Sequence, residues 1–272
     1  MHVPKRLLLL LLSLLLSGCG QSPEPVSSVE EPTDPFHYVF EERAYLLPNG
    51  EPHGAALGES YENEALRLYW TYPAPQTGSL TAPATKAMCA WFQKQGLLCD
   101  TEALVNTALA DYADAQDSGR TFQPYHVTQD THLTCQSVGL WGFSTTVSTP
   151  ANFPRDQYMK ESIYQSDFFD AAEEHLELWD LFTMPEATVQ RRLLDLCQKA
   201  VPQEDPTSLA ELEQWFQPSS VVFWPEHVEV VYGPDTLEKN QRIYAFAYGG
   251  LADILQSWAL PDAWEELEEL DR

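Results

Sequence analysis

Six acidic residues crowd one short stretch of this chain: Asp167, Asp170, Glu173, Glu174, Glu177 and Asp180. Two carboxyls facing each other across a substrate can do general acid–base work on a glycan, one protonated and one ionised. The same residue types also make an ordinary solvated rim, and the deciding quantity, the separation of the carboxyls, is not written in a sequence. His126, His132 and Cys135 suggest a metal, but their spacing is not that of a zinc site. If they lie on one continuous strand, the two histidines share a face and Cys135 points away. Asp111, Asp114 and Asp117 stand three apart, which suits one exposed helix face, whereas a calcium loop needs acids at alternate positions around a glycine. Ser144 follows Gly142-Phe143 but lacks the closing glycine of a nucleophile elbow. There is no phosphate-binding glycine loop and no dinucleotide fingerprint. The reading is a chain with no catalytic residues, no cofactor and no metal site.

The most specific chemistry belongs to the thiol of Cys19. Lys5 and Arg6 precede an almost pure leucine run, Leu7 to Leu16, too short to span a bilayer comfortably. Leu16-Ser17-Gly18-Cys19 then closes the segment. An ordinary export signal ends on small residues and has no need of the cysteine. The tetrad resembles the cleavage-and-lipidation box of bacterial lipoproteins. That resemblance implies cleavage before Cys19, a diacylglyceryl thioether on its sulfur, and an extracytoplasmic domain lipid-anchored to the bacterial cell membrane.

Residues 1–18 are read as this signal peptide and 19–35 as a flexible tether rich in proline, serine and acid. An N-terminal strand-helix-strand part is expected over 36–160, a C-terminal part over 161–260 and an acidic tail over 261–272. The whole chain carries 41 Asp+Glu against 15 Lys+Arg, a formal net charge of −26. Loss of the signal removes Lys5 and Arg6 and no acid. Such a surface repels nucleic acid and anionic headgroups, and attracts cationic proteins or divalent ions. Much of the charge also serves simply to keep an exported domain soluble. Cys89, Cys99, Cys135 and Cys197 allow two disulfides in an oxidising compartment, or four small buried thiols; sequence does not choose between them.

The elements that must position these groups are read from periodicity. Strands are expected over 37–47, over 66–72 ending at Pro73, over 122–128, 132–137 and 140–148, and briefly over 164–169. Ala84, Ala87, Met88, Trp91 and Phe92 mark one helix face, stopped by Gly96. Asp100 caps a second helix that closes at Asp117-Ser118-Gly119. A third starts near Pro185, with Thr183 as its cap and Val189, Leu193, Leu196 and Cys197 buried. Ser220–Trp224 and His227–Tyr232 form a hairpin, followed by a strand over 242–248 and a closing helix over 251–260. Trp179, Trp215, Phe223 and Trp224 are expected in the core, and Trp258 and Trp264 at least partly exposed. Strands and helices alternate without a βαβ rhythm. The expected class is therefore α+β, a mixed antiparallel sheet with helices packed on it.

Phe168-Phe169-Asp170, then Leu176-Glu177-Leu178-Trp179-Asp180-Leu181-Phe182 leading into a helix, form one segment of interest. The other runs from Val221-Val222-Phe223-Trp224-Pro225-Glu226-His227 through Val228-Glu229-Val230-Val231-Tyr232 to Ile243-Tyr244-Ala245-Phe246 and Leu251-Ala252-Asp253-Ile254-Leu255. In this order they resemble the RsiV-like extracellular domain, a domain of unknown function shared by some anti-sigma factors, peptidoglycan deacetylases and lipoproteins. The resemblance implies a non-catalytic binding or sensing module at the cell envelope, for a cationic protein such as lysozyme or for a cell-wall glycan. Asn152 to Lys160 stands where that family carries a glycine-rich stretch with a histidine, and Tyr232-Gly233-Pro234-Asp235 only echoes its Pro-Tyr-Glu loop. No binding residue is therefore carried over. The alternatives are an envelope glycan hydrolase using an acidic pair, and a structural accessory protein with an apolar patch.

Overall fold

The structure is a computed structural model, and it describes residues 35–54, 63–75, 85–150, 159–201, 207–233, 236–237 and 241–261. Cys19, the signal, the tether up to residue 34, Ala84, residues 151–158, Pro234, Asp235, and residues 262–272 of the acidic tail, with Trp264, lie outside the described residues. Strand β1 (Phe36–Leu46) turns at Asn49-Gly50 into the short β2 (Glu51–His53), and β3 (Glu64–Pro75) follows. Helices α1 (Lys86–Gln95) and α2 (Thr101–Ser118) come next, then β4 (Tyr125–Gln136), β5 (Leu140–Pro150), β6 (Met159–Asp170) and β7 (His175–Leu176). These strands make a 7-stranded sheet in the order β2-β1-β3-β4-β5-β6-β7. Its one parallel pair is β3 with β4. A parallel pair needs a long crossover, and α1 and α2 are that crossover.

The second half of the chain gives α3 (Glu186–Ala200), the short α4 (Leu209–Trp215), β8 (Val221–Phe223), β9 (His227–Tyr232) and β10 (Arg242–Ala247). The last three strands form a separate antiparallel sheet, and β8 packs against β4, β5 and β6. Side chains alternate between sheet faces, so adjacent residues on β6 enter different cores. Phe169 joins Met88, Cys89 and Phe92 of α1, whereas Phe168 joins Phe223, Val228, Leu193 and Tyr248. A further cluster places Val105 and Ala108 of α2 on Leu66, Leu68 and Trp70 of β3. The architecture is α+β, as the composition of elements implied.

Local chemistry accounts for most boundaries. The Asp100 carboxylate accepts the Ala103 N–H at 3.0 Å, and Gly119 ends α2 with φ +68°. Ser208 and Glu211 form a reciprocal capping box at α4, a helix too short to show in the hydrophobic periodicity. The start of α1 has no local cap. Instead Glu173, itself at φ +65°, reaches across to accept the N–H groups of Ala87 at 2.6 Å and Met88 at 3.3 Å.

Five expectations need correcting. Strand β3 runs through Pro73 to Pro75; its pairing with β4 stops at Trp70, so beyond that point it behaves as an edge, where a missing N–H is tolerated. The two strands expected over 122–137 are one. Its polar middle looked like a turn, but Gln129 accepts the Leu98 N–H at 2.7 Å and donates to the Gly96 carbonyl at 2.9 Å, and the Thr131 and Thr145 hydroxyls bond at 2.9 Å. The closing helix over 251–260 is a run of turns with a short 3-10 segment at Ser257–Ala259. Its backbone is already engaged: the Thr183 N–H donates to Ile254 O at 2.7 Å and the Gln256 N–H to Leu181 O at 2.8 Å. The Thr183 hydroxyl also donates to Ile254 O, at 3.0 Å, so α3 starts at Pro185 without a side-chain cap. Lastly, β6 begins at Met159, well before the strand expected from Tyr164.

All four described cysteines are free thiols: Cys89, Cys135 and Cys197 buried, Cys99 half-buried. Burial pushes the Cys135 and Cys197 thiols up to about 12 and Cys89 up to about 11, from an ordinary value of 9.0. A raised folded pKa gives stability that is whole below the unfolded value and lost as pH rises toward the folded one. The expected result is a urea midpoint that falls progressively between about pH 9 and pH 12. A midpoint constant over that window would contradict the burial of these thiols.

Candidate functional site

The acidic stretch is largely committed to holding backbone in place. Asp170 Oδ1 accepts the N–H groups of Ala172 at 2.8 Å and Glu174 at 2.9 Å. Glu173 caps α1, as above. Glu177 and Asp180 cap a 3-10 turn, Leu178–Leu181, reciprocally. Asp167 is different, being 3% exposed in the middle of β6. Its Oδ1 lies 3.2 Å from His175 Nε2, and the Gln165 amide donates to it at 3.1 Å. The His175 ring stacks on Trp91, centroids 4.5 Å apart and 11° from parallel. An imidazole oriented by a buried carboxylate is the base half of a nucleophile–base–acid relay. The hydroxyls of Ser144 and Ser166, which pair across β5 and β6, alternate onto the opposite face of the sheet from Asp167 and cannot complete it.

The other sequence candidates stay apart. His126 and His132 are both exposed on one face of β4. A bulge between Leu133 and Cys135 sets Cys135 opposite Gly142, on the face the histidines share rather than the other. There it is buried in the core beneath β8, and a Cβ on Gly142 would come within 2.5 Å of its Sγ. Partial desolvation by its neighbours lowers the His126 pKa even though its ring reaches solvent; Glu64 opposes the effect and Arg67 adds to it. Among the described residues no group of three or more His, Cys, Asp or Glu side chains is placed to hold a metal ion. Asp111, Asp114 and Asp117 lie along α2; Asp111 receives Arg120 at 2.8 Å.

The small sheet packs on the large one through β8, which touches β4, β5 and β6. His132 lies 6.0 Å from Trp224, whose indole N–H donates to Glu229 Oε2 at 2.9 Å. The other carboxylate oxygen of Glu229 is 2.9 Å from His227 Nε2. Further along, a small cleft open to solvent lies between β6 and the 3-10 turn at Pro218–Ser220. Tyr164 and Val231 supply its walls, Trp215 its aromatic rim, and Gln217, Ser220 and Thr236 its polar groups. The Tyr164 hydroxyl is buried and has no hydrogen-bond partner, as does the neighbouring Ser166 Oγ. A buried polar group left unpaired costs about 1–3 kcal/mol. Trp215, expected in the core, is 38% exposed at the end of α4. The capping-box spacing Ser208–Glu211, with Leu212 alone turned inward, was the available signal that Trp215 ends a surface helix. Trp179 and Trp224 are half-buried and Phe223 fully buried; Trp258 is 37% exposed, as expected.

Neither a protein-family model nor a curated protein matches this chain. Solved structures do match the α+β fold described above. A DUF3298 family protein from Pseudomonas aeruginosa aligns over 84% of this chain and 97% of its own, with a TM-score of 0.50 at 13% identity. A DUF3298 member from Bacteroides fragilis aligns over 88% of this chain and 100% of its own, with a TM-score of 0.47 and 13% identity. The fold is thus the one seen in the Pseudomonas aeruginosa member of that family of unknown function.

Proposed function

We propose that this chain is a lipid-anchored module of the bacterial cell envelope, of the RsiV-like extracellular type, that binds its ligand rather than transforming it. The observation that carries the reading is the use of the acidic stretch: Asp170, Glu173, Glu177 and Asp180 accept backbone N–H groups, while the open cleft is lined by aromatic and uncharged polar side chains. The Cys19 box and the tether behind it supply the location. A net charge of −26 favours electrostatic capture of a basic protein such as lysozyme. Cells fed labelled palmitate are expected to label the full chain, and Cys19→Ala to lose both the label and membrane retention. Capture of lysozyme by the anchored chain is expected at low salt and to weaken steeply as salt rises. Absence of label would remove the anchor; absence of low-salt capture would remove the cationic partner.

The hydrolase reading draws support from the Asp167–His175 contact alone. It requires that Asp167→Asn abolish a glycan-cleaving activity of the purified protein. No cleavage by the parent would dispose of it.

A further inference from the structure

We infer that the cleft beside Tyr164 and Trp215 is a subsite for one neutral N-acetylhexosamine unit of a glycan, a proposal that rests on the binding-module reading and gives it a site. The lining selects the ligand by elimination and then by fit. Its described side chains are Tyr164, Trp215, Gln217, Ser220, Val231 and Thr236, none of them charged near neutral pH, on a chain whose net charge is −26. An anion meets the repulsion of the whole molecule there. A cation finds no carboxylate among the described lining residues to pair with. A lipid tail would leave the hydroxyls and the amide unpaired.

A pyranose ring meets both halves of this surface. Its C–H face matches the exposed Trp215 indole, which offers large contact area with few rotors to freeze. Its hydroxyls find complementary partners. Ser220 Oγ already donates to Gln217 O at 2.8 Å, and Thr236 Oγ1 to Gly233 O at 2.5 Å, so both oxygens are left to accept. The Gln217 amide offers two donors and an acceptor from an exposed position. Tyr164 contributes its ring to the cleft wall; its hydroxyl oxygen is sealed from solvent and takes no part in holding the ligand. Val231 pairs with Ile243 across β9 and β10, and Ile243 is 49% exposed; this apolar step beside the cleft suits the methyl of an acetamido group.

The test uses the full mature chain in detergent, titrated with the neutral trisaccharide of N-acetylglucosamine and followed by calorimetry and saturation-transfer NMR. Saturable binding in the millimolar range or tighter is expected. Trp215→Ala should weaken it at least about tenfold. Trp258→Ala, an exposed tryptophan elsewhere, should leave it unchanged. Tyr164→Phe tests the sealed hydroxyl separately. Sugar binding should stay within about twofold of the parent, while the melting temperature of the ligand-free protein rises by about 2–4 °C because an unpaired buried hydroxyl has gone. Lack of binding by a folded parent chain overturns the subsite, as does binding indifferent to Trp215. A Tyr164→Phe protein that loses sugar binding overturns the placement of the ligand against Trp215 and Gln217. If palmitate labelling and low-salt lysozyme capture persist while the sugar fails to bind, the subsite alone is lost and the envelope reading stands.

Discussion

Replacing Arg67 with alanine is expected to cost roughly 3–5 kcal/mol of stability, the loss reported when one member of a buried ion pair is removed. Arg67 sits on β3 opposite Ala44 of β1 and His126 of β4. Its guanidinium forks onto Glu64, with Nε donating to Oε2 at 3.0 Å and Nη2 to Oε1, and Nη1 meets Glu42. The three side chains are only 4%, 4% and 2% exposed. Removing the cation leaves two carboxylates together, out of water, in a chain already far too acidic. Arg67→Lys should recover only part of the loss, since an ammonium cannot make the forked contact with Glu64. Replacing Arg67, Glu42 and Glu64 together with apolar residues of similar volume should be far milder than Arg67→Ala alone, because no charge is then stranded. Urea unfolding of the four proteins decides it. An Arg67→Ala midpoint equal to that of the parent would mean the triad contributes nothing.

That triad was invisible to sequence reading, and the reason is general for this chain. Signals complete within a few residues were legible. Asp100 and Gly119 bound α2 as expected, and Val228, Val230 and Tyr232 alternate inward on β9. Features decided by distant partners were not. Residues 251–255 have helical spacing and begin with local turn bonds, but the Ile254 carbonyl and the Gln256 N–H are taken by Thr183 and Leu181, and Leu255 bridges to Phe182, so the helix cannot continue. Gln129 and Thr131 look like turn residues until Leu98, Gly96 and Thr145 satisfy them inside the sheet. The acidic stretch read as a possible catalytic pair, because nothing local tells that Glu173 will cap a helix that begins at Lys86. The cleft suffers most. Tyr164 and Trp215 come together only when β8 crosses the large sheet, and no periodicity within either segment encodes that meeting.

Truncating Phe143 to alanine should be about as damaging as losing Arg67, roughly 3–5 kcal/mol, but by a different route. Phe143 is fully buried at the centre of β5. Its ring lies 5.2 Å from Phe36 of β1, 4.8 Å from Phe92 of α1 and 5.9 Å from Phe169 of β6. Each neighbour belongs to a different element, so a cavity here cannot be closed by one side chain shifting. Phe143→Leu keeps most of the volume and should cost well under half as much. Domains of ordinary size hold about 5–15 kcal/mol in all, so the alanine variant should unfold at markedly lower urea. The location makes a second expectation. Phe143 faces α1, and the cleft, lined by Tyr164, lies on the opposite face of the sheet, between β6 and the 3-10 turn at Pro218–Ser220. A Phe143→Ala protein held below its unfolding transition should therefore disturb the Trp91–His175 stack, because Trp91 packs against Phe92 and Phe169, while its sugar affinity stays within about twofold of the parent. Loss of sugar binding in a variant still shown to be folded would mean the two faces are coupled through β5, and the cleft could no longer be treated as an independent site.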